Sequence, residues 1–285
     1  MIASIMVARQ ASIGLTRRAF VAAAIVPALS PARAQEQMPR IVFAPALGVA
    51  QDFRVSHRLH DVPATPPAKV EDAVSITYRL SATALAREQD GYRLRLLVSE
   101  VERPGGGSPR GMDMVAAAAL MLDGVPIEML VDGRGFLKEV ADWPKLQRVL
   151  DVRAESLPGD SAVRSIGHSV ADRQQNAHQV AWHLAGAIEA MNFARSYFDV
   201  AKQTGASTIS WNSSPIDVTV EPAGADGSVA MTWLSPSGAG ARATSQGRAV
   251  LRPDGYAAPL TATSTRAGWR GSVQEITAIK AIPAR

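Results

Sequence analysis

The stretch VSITYRLSATALAREQDGYRLRLLVSE, residues 74–100, decides how the chain is read. Val74, Ile76, Tyr78 and Leu80 alternate with Ser75, Thr77, Arg79 and Ser81. Beyond Asp90-Gly91, Tyr92, Leu94, Leu96 and Val98 alternate with Arg93, Arg95, Leu97 and Ser99. Successive side chains of a strand point to opposite faces, so a period of two on both sides of an Asp-Gly reversal predicts an antiparallel hairpin with one face buried.

Working outward, the same dipeptide recurs at Asp123-Gly124, Asp132-Gly133, Asp226-Gly227 and Asp254-Gly255, five pairs in all, each read as a strand reversal. Phe53, Val55 and Leu59 extend the strand theme upstream, and Pro63, Pro66 and Pro67 make an irregular connection to residue 74. Downstream, Arg103 to Gly111, with Pro104, Gly105-Gly106-Gly107 and Pro109, is a loop. It lacks the Gly-Lys-Ser/Thr ending of a phosphate cradle. Residues 113–122 admit two readings: the alanine run suits a helix, the Asp-Gly pair behind it suits a strand, and we favour the strand. Val125, Ile127, Met129 and Val131, then Phe136, Lys138 and Val140, form the next hairpin.

At Asp142 the pattern changes. Asp142 is placed to cap a helix with Pro144 in its first turn and Leu146, Val149 and Leu150 on its apolar face, ended by Pro158-Gly159. From Asp160, Val163, Ile166, Val170, Ala177, Val180, Leu184, Ile188 and Met191 lie near one helical face. Arg173 interrupts that stripe, so either the helix breaks between Ser169 and Asp172 or the arginine is paired beneath it. After Gly205 the strand pattern returns through Ile216, Val218 and Val220, then Val229, Met231 and Trp233, then Ala249 and Leu251, with two final strands over 260–279. The order strands, helices, strands predicts a single α+β domain over 35–285: β over 50–140, helical over 142–203, β over 207–282. Its antiparallel sheet is curved and packed on the central helices.

Residues 1–34 read differently. Thr16, Arg17, Arg18, Ala19, Phe20 and Val21 open an apolar run to Leu29 that is followed by Ala32-Arg33-Ala34. The run is shorter than the roughly 20 residues needed to span a bilayer. The segment resembles a twin-arginine (Tat) signal peptide, with Arg17, Arg18 and Phe20 as the recognition core and Ala32 and Ala34 at a cleavage site. The resemblance implies export by the Tat translocase to the periplasm, with no stable membrane anchor after cleavage.

Without residues 1–34, whose only charges are four arginines, the chain carries 26 basic and 26 acidic residues. A neutral surface removes the main electrostatic argument for a nucleic-acid partner. There is no cysteine, which excludes disulfides, thiolate metal sites, cysteine nucleophiles and a lipidated cysteine.

The search for chemistry starts with histidine. His57 and His60 are three apart on a strand and point to opposite faces, while His178 and His183 are five apart on a helix, about 140° around its axis. Neither pair chelates one ion, and both read as surface or edge residues; no metal or other cofactor is implied. His168 has no Gly-x-Ser-x-Gly elbow or Ser-x-x-Lys pair to activate. Glu100 and Glu102 offer a carboxylate pair at a strand end, read as a solvated rim. His178 and Trp182, one helical turn apart and off the apolar stripe, are the candidates for lining a pocket. Trp143, Trp211, Trp233 and Trp269 are scattered and form no aromatic platform.

In outline the strand-helix-strand order is similar to periplasmic lipoprotein carriers with an incomplete barrel, a likeness of topology without a shared residue motif. It implies a non-enzymatic binding or carrier protein for an apolar or lipidic ligand. An envelope assembly partner ranks second, and an enzyme whose site is assembled from distant residues ranks third.

Overall fold

The hairpin around Asp90-Gly91 is present, set inside a much larger sheet. The computed structural model describes residues 41–63, 74–103, 114–157, 161–172, 186–201, 205–211, 214–235, 243–268 and 271–283. In chain order these form β1 (Ala50–Pro63), β2 (Val74–Glu88), β3 (Gly91–Glu102), α1 (Met114–Leu122), β4 (Pro126–Asp132), β5 (Leu137–Val140), α2 (Trp143–Glu155), α3 (Ser161–Ala171) and α4 (Gly186–Ala201). Then follow β6 (Gly205–Trp211), β7 (Ser214–Val220), β8 (Val229–Leu234), β9 (Ala243–Leu251), β10 (Ala257–Gly268) and β11 (Gly271–Ile282).

All eleven strands join one open sheet in the order β5-β4-β3-β2-β1-β11-β10-β9-β8-β7-β6. Every neighbouring pair is antiparallel. Each half of the chain builds a flank by simple meander, and the flanks join where β1 pairs with β11, from Asp52 opposite Ile282 to Pro63 opposite Gly271. The expected α+β balance is therefore tilted: the molecule is mostly antiparallel β, with a few helices.

Four of the five Asp-Gly pairs sit in links between sequential strands, β2–β3, β4–β5, β7–β8 and β9–β10. The fifth corrects the expectation of a strand over residues 113–122, since Met114–Leu122 form α1. Ala116 to Ala119 are strong helix formers, and Gly124, at φ 74, ends the helix in the left-handed conformation that glycine tolerates. Val125 N–H then bonds to the Leu122 carbonyl and Gly124 N–H to that of Val98.

Asp142 also departs from expectation. It precedes α2 with φ 51 and makes no side-chain cap; its carbonyl accepts from Lys145 and Leu146 N–H instead. Leu146 and Leu150 are buried as the spacing predicts. The helix ends at Glu155, ahead of Pro158, and α3 ends at Ala171, within the expected break. Gly167 lets α3 approach α2 closely, because a Cβ there would meet Leu157 Cδ1 at 2.6 Å and Ala154 Cβ at 3.0 Å.

Candidate functional site

Strand register arranges the buried sheet face as a series of rungs, and their chemistry changes along the strands. One rung runs Tyr78, Val55, Ile279, Leu260, Ala249, Met231, Val220 from β2 to β7, all buried and apolar but for the phenol. The next, two residues along, runs Ile76, His57, Thr277, Ala262, Gly247, Trp233, Val218. The third holds Leu59, Glu275, Ser264 and Ser245, none of them fully buried. The face thus passes from sealed and apolar, through small side chains, to polar and partly open.

His57 breaks the apolar series Phe53, Val55, Leu59 of β1 and is only 2% exposed, which corrects its reading as a surface or edge residue. Its Nδ1 lies 3.4 Å from Thr277 Oγ1 and 3.8 Å from Glu275 Oε1. His60 is on the other face, as spacing requires. The indole of Trp233 lies across Gly247, so a Cβ at that position would collide with the ring and come within 2.5 Å of the Thr261 carbonyl. Trp233 Nε1 donates to Ser245 Oγ at 3.3 Å, and Tyr197 of α4 packs on the indole at 5.7 Å.

The sealed end is closed by an aromatic and cationic cluster. Phe43 contacts Tyr92 and Tyr256 edge-on at 5.6 and 5.3 Å, and Tyr256 contacts Phe53 at 5.3 Å. Arg195 of α4, 1% exposed, has its guanidinium 5.2 Å from the Phe43 ring centre and 5.8 Å from that of Phe136. Its Nη2 donates to Asn192 Oδ1 at 3.4 Å and its Nη1 to the Gly255 carbonyl at 3.5 Å, both long. Asn192 in turn donates to the Gly135 carbonyl at 2.6 Å. Glycine is required at both turns. Gly135 and Gly255 have φ of 82 and 86, and a Cβ would meet Phe43 in either case.

Burial lowers the affinity of Arg195 for its proton, to a pKa of about 10, against the more distant favourable charges of Asp199 and Asp132. Among the described residues no carboxylate lies within ion-pairing distance of it. The Tyr256 hydroxyl is buried with no hydrogen-bond partner among the described residues, and burial, with Asp254 adding to it, pushes the phenol up. These aromatics come from five separate segments, which is why the sequence showed no platform. The one local sign was Arg195 itself, set within Met191-Asn192-Phe193-Ala194-Arg195-Ser196-Tyr197-Phe198.

Other candidates are placed differently. Glu100 and Glu102 lie on the outer face, both held by Arg54 at 3.1 and 3.0 Å, with Arg79 bonding Glu100 at 3.3 Å and Asp52 at 2.6 Å. They form a solvated ion-pair network at a bulge where Glu100 adopts φ 52, as the rim reading expects. Burial raises the Asp52 carboxyl's pKa, but hydrogen bonds from Arg79 and Ser81 and the guanidinium charge outweigh it and hold the group below its usual range. His168 pairs with Glu155 across the exposed α2–α3 surface at 3.0 Å. His178 and Trp182 lie outside the described residues, as do Arg17, Arg18, Phe20, Ala32 and Ala34.

Among the described residues no three metal-ligating side chains converge, and no helix is long and apolar enough to cross a membrane. No protein-family profile matches the chain, and no curated protein shows significant similarity to it.

Proposed function

We propose that the protein is an exported, non-enzymatic binding or carrier protein that holds an apolar or lipidic ligand between the inner sheet face and the helices. The carrying observation is the sequence of rungs: inward-facing Ala262, Thr277, Leu59, Ser264 and Ser245 keep partial exposure although they face the helical side of the sheet. A polar rim, an apolar interior and a sealed far end are the features of a ligand cleft.

The contacts of α4 support a curled sheet. Asn192 and Arg195 are one helical turn apart, yet they reach the β4–β5 turn and the β9–β10 turn. Four strands separate β4 from β10. In a flat sheet, five steps of about 4.8 Å put those strands about 24 Å apart, more than one side-chain pair bridges. Curling of this kind makes the half-barrel of the periplasmic lipoprotein carriers, to which the topology is similar. The periplasmic location rests on the Tat-like residues Thr16 to Val21 and Ala32 to Ala34.

Purified protein stripped of lipid on a hydrophobic resin is expected to take up a neutral apolar dye, N-phenyl-1-naphthylamine, saturably. Ala262→Trp, which fills the middle rung, is expected to abolish uptake with the far-ultraviolet circular dichroism unchanged. Dye that stays dark with the wild-type protein removes the reading. A second reading, an envelope assembly partner, draws on the open edges β5 and β6, where an added strand could pair. Cross-linking in intact cells to one reproducible neighbour at β6 would favour it.

A further inference from the structure

Arg195 and Tyr256 hold two buried donors that lack an adequate acceptor. The guanidinium is 1% exposed, makes two long hydrogen bonds to neutral oxygens and has no carboxylate partner among the described residues. The Tyr256 phenol, 2% exposed, has no hydrogen-bond acceptor among the described residues. Leaving such groups poorly paired is costly, and the charges of Asp199 and Asp132 favour the buried guanidinium without forming an ion pair with it.

The two belong to one site. Arg195 reaches the carbonyl of Gly255, the residue before Tyr256, and both side chains pack on Phe43, the guanidinium at 5.2 Å and the phenol ring at 5.3 Å. The site closes the apolar end of the inner face, with Phe53 and Tyr92 around it.

From this pairing we infer that the sealed end is the receptor for an oxyanion head, and that the ligand is a single-chain amphiphile with a terminal carboxylate, bound head inward. The inference rests on the carrier reading and specifies its ligand. A carboxylate supplies what the site lacks: one oxygen accepts from the Arg195 fork, the other from the Tyr256 hydroxyl, and its charge neutralises the guanidinium. The alkyl chain then crosses the apolar rung at Leu260 and Ile279 and runs along the strands, its end toward the rim at Ser264 and Ser245. The orientation follows from the donors, since Arg195 and Tyr256 lie at the sealed end while Glu275 faces inward at the rim.

The test compares palmitate with hexadecanol, the same chain carrying a neutral head, by native mass spectrometry and dye displacement on the full chain. The wild-type protein is expected to bind palmitate at least about tenfold more tightly than hexadecanol, and Tyr256→Phe to lose about tenfold for palmitate only. Arg195→Met is expected to erase the preference. If that variant does not fold, Tyr256→Phe alone carries the test, because it keeps the ring and its packing. Sodium acetate at millimolar concentration distinguishes a true amphiphile site from one that takes any small oxyanion: displacement of palmitate by acetate counts against the head-inward chain. Equal affinity for palmitate and hexadecanol, or no effect of Tyr256→Phe, overturns the inference while leaving the cleft intact. Failure of both ligands and of the dye overturns the carrier reading as well.

Discussion

Gly247 shows how one missing atom organises the inner face. Its hydrogen leaves the space that the Trp233 indole occupies, and the indole in turn gives Tyr197 a surface on which α4 rests. Adding a methyl there meets both the ring and the Thr261 backbone carbonyl, and the carbonyl cannot rotate away. Gly247→Ala is therefore expected to cost about 1–3 kcal/mol, as overpacking does, read as a lower urea midpoint together with a red-shifted tryptophan emission. An unchanged midpoint would contradict the packing described. In the sequence Gly247 is an unremarked glycine between Gln246 and Arg248, since its partner is fourteen residues away and on another strand. His57 leaves a sign that its reading as a surface or edge residue overlooks: it holds the place in Phe53, Val55, Leu59 where strict alternation demands an inward residue. Histidine in that place is the sign of a polar interruption in the apolar face. Arg195, Tyr256 and Phe43 were not legible, because convergence of three distant segments leaves no local period.

At the scale of elements, period-two patterns and Asp-Gly pairs identified the strands well, because half-buried hairpins write their geometry directly into alternation and turn chemistry. The same dipeptide misled at residues 123–124, where the positive φ of Gly124 serves a helix end. An alanine run with every face apolar carries neither a helical nor a strand period, so propensity was the better guide, and it points to the helix that forms and not to the strand favoured from the Asp-Gly pair. Gly124 has nothing within 4 Å of where a Cβ would stand, so its glycine is needed only for φ 74. Gly124→Ala is expected to cost about 1 kcal/mol from left-handed backbone strain alone, with an unchanged denaturant slope. A loss as large as that of Gly247→Ala would show that α1 depends on more than this cap.

Across the whole molecule, the two flanks share one seam. β1 and β11 supply the pairing between the N-terminal and C-terminal meanders, and α4 adds contacts to both through Asn192 and Arg195. Unfolding one flank strips the other of a strand partner, so the domain is expected to melt as one unit. In the unaltered protein, tryptophan emission, to which Trp143 in one flank and Trp233 in the other both contribute, and far-ultraviolet circular dichroism should show one coincident urea transition. Two separated transitions would mean that the seam is weaker than its length suggests. A seam joining residues as distant as His57 and Thr277, 220 apart in the chain, also makes this a slow-folding topology. On a ribosome, β1 emerges with its second edge bare and keeps it bare through most of synthesis, a template for any passing strand until its proper neighbour arrives. The middle of the finished sheet is thus the last part to be sheltered, and a newborn copy is most exposed to association with its own kind at the place where the mature one is most securely knit.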